Sequence, residues 1–184
     1  MQLAAAVLGN LNEIPIQGMR ANSLTELDLN GKYVGVEGGK VVAGLIPVIG
    51  GLTSLNLSDN QLCGLDRFES GTYTAEGITA IADSMRVNGA LTPINLRGNM
   101  LGDEGWGAIF AAICGNKDSK IMSTDVSGEN IGPAGVKLIA KALRTSVTGS
   151  LPKLSLAENK LGEEGTKFLC DALKSATTLS RNLT

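Results

Sequence analysis

The chain has 184 residues, enough for one domain with a sizeable core, and 43% of them are apolar against only 3% aromatic, so the core must be aliphatic. A net charge of −2 with no lysine or arginine block offers nothing to a phosphate backbone, which excludes nucleic acid as the expected partner. No histidine is present, which excludes His-based acid–base catalysis, His triads and His metal sites together.

In chain order, residues 1–23 are expected to form an N-terminal cap: a helix near 2–9, a strand-like stretch and a short helical turn. Leu3–Leu8 is apolar but too short for a signal segment, and no basic residue precedes it. The first repeat unit opens with Leu24, Leu27 and Leu29, spaced L-x-x-L-x-L. The spacing returns at Leu52/Leu55/Leu57, Leu91/Ile94/Leu96, Ile121/Thr124/Val126 and Leu151/Leu154/Leu156. Leu179 opens a truncated sixth unit on the same count. Within each unit Asn follows three residues later (Asn60, Asn99, Asn159), with Lys32 and Glu129 in that place in the first and fourth units. A Gly-x-x-Gly turn comes next, as at Gly102–Gly105 and Gly162–Gly165; the second unit keeps only Gly77. The period then turns helical, with apolar pairs at Val42/Ile46, Ile81/Met85, Ile109/Ile113, Ile139/Leu143 and Leu169/Leu173.

One such unit cannot bury a strand face and a helix face alone, so neighbours must stack. Strands stack about 4.8 Å apart and helices about 8–10 Å, so the stack is expected to curve with its strands inside. The pattern in LTSLNLSDNQL and LPKLSLAENKLGEEG resembles leucine-rich repeats of the ribonuclease-inhibitor-like class, over residues 24–173. The resemblance implies an α/β solenoid, a curved horseshoe of parallel strands on the concave face and helices on the convex face, within a single domain spanning 1–184. It also implies that Asn60, Asn99 and Asn159 bond neighbouring backbone inside the turns. The function it implies is a protein-interaction module or scaffold. The alternatives are a small-GTPase regulator similar to Ran GTPase-activating protein, for which Arg97 is the concave candidate, or a repeat fragment of a larger receptor.

On the concave face the outward strand residues form columns. The candidate contacts are Glu26, Asp28, Asn30, Asn56, Ser58, Asn95, Arg97, Asp125, Lys153 and Ser155. The middle column, rich in Asp and Asn, reads equally as a hydrogen-bonding stripe or as an ordinary solvated strand face. Asp28 and Asp125 stand too many strands apart to share a metal. The second repeat is about eleven residues longer than the first, and the extra piece is Cys63–Tyr73, on the rim between strand and helix. It carries Arg67, Phe68 and Tyr73 in a chain poor in aromatics, which makes it a second candidate contact surface. Against this, Phe68 could tuck over the adjacent loop. Trp106 is expected to pack between repeats or lie on the surface.

The acidic residues around the helix starts (Glu37, Glu76, Asp103, Glu104, Glu163, Glu164) recur at one repeat position, which favours helix-terminus stabilisation over acid–base chemistry. Walker, nucleophile-elbow and zinc spacings are missing, so neither enzyme, metal nor cofactor is expected. Cys63, Cys114 and Cys170 are odd in number and widely spaced, which suits reduced thiols and a cytoplasmic setting without a disulfide framework. No stretch is long enough to span a membrane, and no membrane partner is expected. At the C-terminal end Leu154, Leu156, Leu161, Leu169 and Leu173 lack a complete neighbour. A weak homodimer through that end is one expectation.

Overall fold

The computed structural model describes residues 24–121, 123–147 and 153–181, with side chains to residue 175. The expected cap at 1–23 and Leu151 lie outside the described residues. Five strand–helix units follow in order: β1 Glu26–Asp28, α1 Gly35–Leu45, β2 Ser54–Asn56, α2 Glu76–Met85, β3 Ile94–Asn95, α3 Gly102–Gly115, β4 Ser123–Asp125, α4 Pro133–Arg144, β5 Lys153–Ser155 and α5 Gly162–Arg181. A 3₁₀ turn, Ile46–Val48, extends α1.

The strands pair in parallel and in the register of the repeat: Leu27 stands opposite Leu55, Leu55 opposite Ile94, and Thr124 opposite Leu154. Inward residues Leu27, Leu29, Leu55, Leu57, Leu96 and Val126 are buried. The helical pairs Val42/Ile46, Ile81/Met85, Ile109/Ile113 and Ile139/Leu143 are buried against them. The periodicities of two and 3.6 thus meet in one aliphatic core. Each helix packs on its chain neighbours, α1 on α2, α2 on α3, α3 on α4 and α4 on α5.

The last glycine of each turn lets consecutive helix starts approach. A Cβ on Gly77 would meet the Val36 backbone at 3.1 Å, and one on Gly105 would meet Ile78 at 3.1 Å. Glu37, Glu76, Asp103, Glu104, Glu163 and Glu164 stand in the first turns of α1, α2, α3 and α5, where they complement the helix dipole, and the N-cap residues of α1–α4 make no side-chain cap bond. Asp103 also accepts the Gly132 N–H at 2.8 Å, joining one unit to the start of the next helix. Lys40 bridges the first-turn acids Glu37 and Glu76 of α1 and α2.

At the C-terminal end the expected sixth unit is corrected. The backbone stays helical through Leu179 to Arg181. The stretch 166–181 carries neither glycine nor proline to end the helix. Leu154, Leu156, Leu161 and Leu169 are partly buried there, and Leu173 is exposed. None of the helices among the described residues is long and apolar enough to cross a membrane.

Candidate functional site

The middle column of the strand face has a local task that its sequence spacing did not reveal. Asp28 accepts the Asn30 N–H at 3.0 Å, Asn56 the Ser58 N–H at 3.2 Å, Asn95 the Arg97 N–H at 3.2 Å and Asp125 the Ser127 N–H at 3.0 Å. In each case the short side chain closes a turn on the backbone two residues ahead, where a strand must leave its sheet. The Ser127 hydroxyl and amide hold the Asp125 carboxyl below the usual range. Column positions therefore shape the strand ends while still presenting polar atoms to solvent.

Glu26, Asp28, Asn30, Asn95, Arg97, Asp125, Lys153 and Ser155 are exposed, and Asn56 is half-buried. Ser58 departs from expectation: it is only 4% exposed. The Asn30 amide donates to its hydroxyl at 2.5 Å, and that hydroxyl donates to Asn56 at 2.7 Å. The two longer neighbours cover it, so it offers a partner little surface.

The rim insertion is ordered by its own bonds. Asp66 accepts the Phe68 N–H at 2.8 Å and the Ser70 N–H at 2.9 Å, and Leu65 bridges Gly71 in antiparallel fashion. Arg67 lies over the Phe68 ring, 4.8 Å from its centroid. Phe68 does not tuck over the neighbouring loop; it is 74% exposed. Tyr73 behaves otherwise. Its hydroxyl donates to the Leu101 carbonyl at 2.8 Å, tying the insertion to the next unit. Burial pushes its pKa up to about 12, with the Cys63 and Glu104 charges adding to the rise.

Sequence reasoning passed over Tyr33, which is 70% exposed beside this loop. Tyr33, Asp59, Gln61, Asp66, Arg67 and Phe68 line one concavity of about 370 Å³ at the rim, with Gly31 and Gly98. The signal was available: Tyr33 occupies the turn of the first unit at a position where Gln61, Met100 and Asn130 also adopt positive φ. That backbone throws the side chain outward.

The repeat asparagines do what the resemblance implied. Asn60 donates to the Leu29 carbonyl at 2.7 Å, Asn99 to Leu57 at 2.8 Å and Asn159 to Val126 at 2.7 Å. Each thereby bonds the unit before its own. Glu129 occupies the same place between the third and fourth units and accepts the Gly98 N–H at 3.4 Å. Desolvation raises its pKa, against the lowering effects of that amide, of Trp106 and of Arg97. The sheet divides at this junction, into β1–β2–β3 and β4–β5. Trp106 is buried behind it.

No family model matches the chain. Human NACHT, LRR and PYD domains-containing protein 13 is 34% identical over 114 residues, covering 61% of this chain and 11% of that protein. Mouse ribonuclease inhibitor is 31% identical over 130 residues, covering 71% of this chain and 25% of the inhibitor. Protein CARMIL of Dictyostelium discoideum is 34% identical over 160 residues, covering 87% and 14% respectively. The chain thus spans about a quarter or less of the length of these relatives. Among solved structures, leiomodin-1 actin-binding site 2 aligns with a TM-score of 0.62 at 18% identity, covering 91% of this chain and 90% of that one. The Caenorhabditis elegans tropomodulin C-terminal domain aligns with a TM-score of 0.57 at 15% identity, covering 95% of both chains. Those two likenesses show the fold. The ribonuclease inhibitor match, over 71% of the chain, together with the registered strands and the asparagine bonds between units, identifies the chain as a leucine-rich-repeat protein of the ribonuclease-inhibitor-like class.

Proposed function

We propose that the chain is a protein-binding module, a curved solenoid that engages its partner with the concave strand face and the 63–73 rim. The carrying observation is the rim cluster. Phe68 and Tyr33 lie largely in solvent beside Arg67, in a chain with 3% aromatic residues. Aromatic and arginine side chains dominate binding energy at protein interfaces, and exposing them without a partner has no folding benefit. The polar strand face supplies orientation and solubility around that anchor. The leiomodin-1 domain, similar in fold, is named for actin binding, so actin is the first defined protein to try.

Arg97, which a GTPase-directed role would need, shares its charge with Asp125 and Glu129. That arrangement favours a scaffold over a GTPase regulator. The setting is a reducing, cytosolic one, in keeping with three free cysteines.

The test is binding by the wild-type chain, Tyr33→Ala/Phe68→Ala and Arg67→Ala, first with purified actin and then with proteins captured from native extract. A partner that the aromatic double variant loses supports the proposal. Partners held equally by all three, and by a variant altered at Asn95 and Arg97, would refute it.

A further inference from the structure

The rim concavity is a cup assembled from three units and the insertion. Tyr33 comes from the turn of the first unit, Asp59 from that of the second, Asp66, Arg67 and Phe68 from the insertion and Gly98 from the third unit. Its volume of about 370 Å³ falls within the roughly 300–1,000 Å³ of small-ligand clefts, which is ample for one side chain. Tyr33, Asp59 and Phe68 are all exposed there.

Asp59 stands at a repeat position that the first, third and fourth units fill with glycine: Gly31, Gly98 and Gly128, all with positive φ, as Asp59 has. Glycine adopts that conformation without steric cost, so the turn does not require the carboxylate. Asn30 Nδ2 donates to Asp59 Oδ2 at 3.3 Å. Oδ1 lies against Gly98, where a Cβ would overlap it. A carboxylate has about four acceptor sites, and that bond occupies one of them. Phe68 already holds a cation, Arg67, over its ring; among the described residues no cation lies over Tyr33.

Two carboxylates, Asp59 and Asp66, against one guanidinium, Arg67, leave the cup with one net negative charge. A carboxylate from a partner would meet two like charges, and an apolar side chain would cover Asp59 without pairing it; both are disfavoured. We propose that the cup takes one arginine side chain of the protein partner, its guanidinium paired with the Asp59 carboxylate and stacked on the Tyr33 ring. A planar guanidinium does both at once, whereas a lysine ammonium is a compact, strongly hydrated point charge. Asp59 and Gly98 also line the cleft on the strand face beside Asn95 and Arg97, so a partner chain lying on that face reaches the cup. The proposal deepens the protein-binding function above and rests on it only for the source of the arginine.

The full chain would be titrated at constant ionic strength with N-acetylarginine methylamide, and in parallel with its lysine, glutamate and leucine analogues. Binding is read at the Phe68 and Gly98 amides in a nitrogen–proton correlation spectrum. The expected result is a saturable shift with the arginine probe, a clearly weaker one with lysine and none with glutamate or leucine. Asp59→Gly installs the residue of the other turns, so the chain stays folded, and it should weaken arginine binding about tenfold, the loss of one charge-assisted bond. Tyr33→Asn, the residue that the fourth unit has there as Asn130, should weaken it as well. Glu158→Gly removes the same charge at the same repeat position outside the cup and should leave the affinity unchanged. Equal responses to arginine and lysine, an equal response to all four probes, or no response would overturn the proposal. So would equal weakening by Asp59→Gly and Glu158→Gly. If a protein partner depends on Tyr33 and Phe68 but binds Asp59→Gly as it binds the wild type, the arginine fails and the wider function stands. If the cup binds the arginine probe but no protein engages the rim, the cup stands and the wider function fails.

Discussion

Glu129 stands at the junction where the sheet divides and accepts the Gly98 N–H across it. Its folded pKa is raised by burial, so its contribution to stability is complete below the ordinary carboxylate range and is lost as pH rises through the folded value. Glu129→Gln removes that loss. Its melting temperature should exceed that of the wild type at neutral pH, with a smaller gap near pH 4; equal gaps at both would rule out the buried charge as the cause. Cys63 and Tyr73 act at the other end of the scale. Burial pushes both up to about 12, from 9.0 and 10.0. The neutral forms stabilise the fold fully below about pH 9, and that contribution falls away between about pH 9 and 12. Cys63→Ala should therefore show a shallower alkaline loss in urea midpoint than the wild type. The thiols also differ in access: Cys170 is exposed, Cys63 and Cys114 buried. A thiol reagent should label one site rapidly in the native chain and three after denaturation.

At the scale of elements, five strands of two or three residues cannot hold a sheet by their own ladders. They persist because turn side chains and helix contacts fix each end. The glycines divide by place rather than by type. Gly77 sits where α2 meets the Val36 backbone, so Gly77→Ala should destabilise by about 1–3 kcal/mol through overpacking. Gly44 lies in α1 with open space around it and no positive φ, so Gly44→Ala should stabilise by about 0.5–1 kcal/mol. Chemical denaturation of the two variants separates these signs. The unpaired β3–β4 edge is equally measurable. The Leu96 amide should exchange with solvent hydrogen faster than those of Leu29 and Leu57, although all three residues are buried.

Across the whole molecule, each unit leans on its neighbours, and stability is a sum of unit and interface terms. The L-x-x-L-x-L spacing and the four-residue helical steps fixed the strand register and the buried faces, because period alone decides which side chains share a face. The repeat also announced the asparagine bonds, and it marked Lys32 and Glu129 as departures. It could not say what a departure does. That the sheet divides where Glu129 stands in for the repeat asparagine depends on contacts with a unit some thirty positions away in the chain. Burial of Ser58 under Asn30, exposure of Phe68 and the use of Tyr73 as a tie to Leu101 are likewise contacts between units. The sequence by itself therefore determined the repeat, its register and an aliphatic core, since those follow from local periodicity and the need to bury apolar surface. Only the tertiary structure decided which polar groups are buried against a neighbouring unit and which aromatics face solvent, since those depend on distances between units that no single repeat contains.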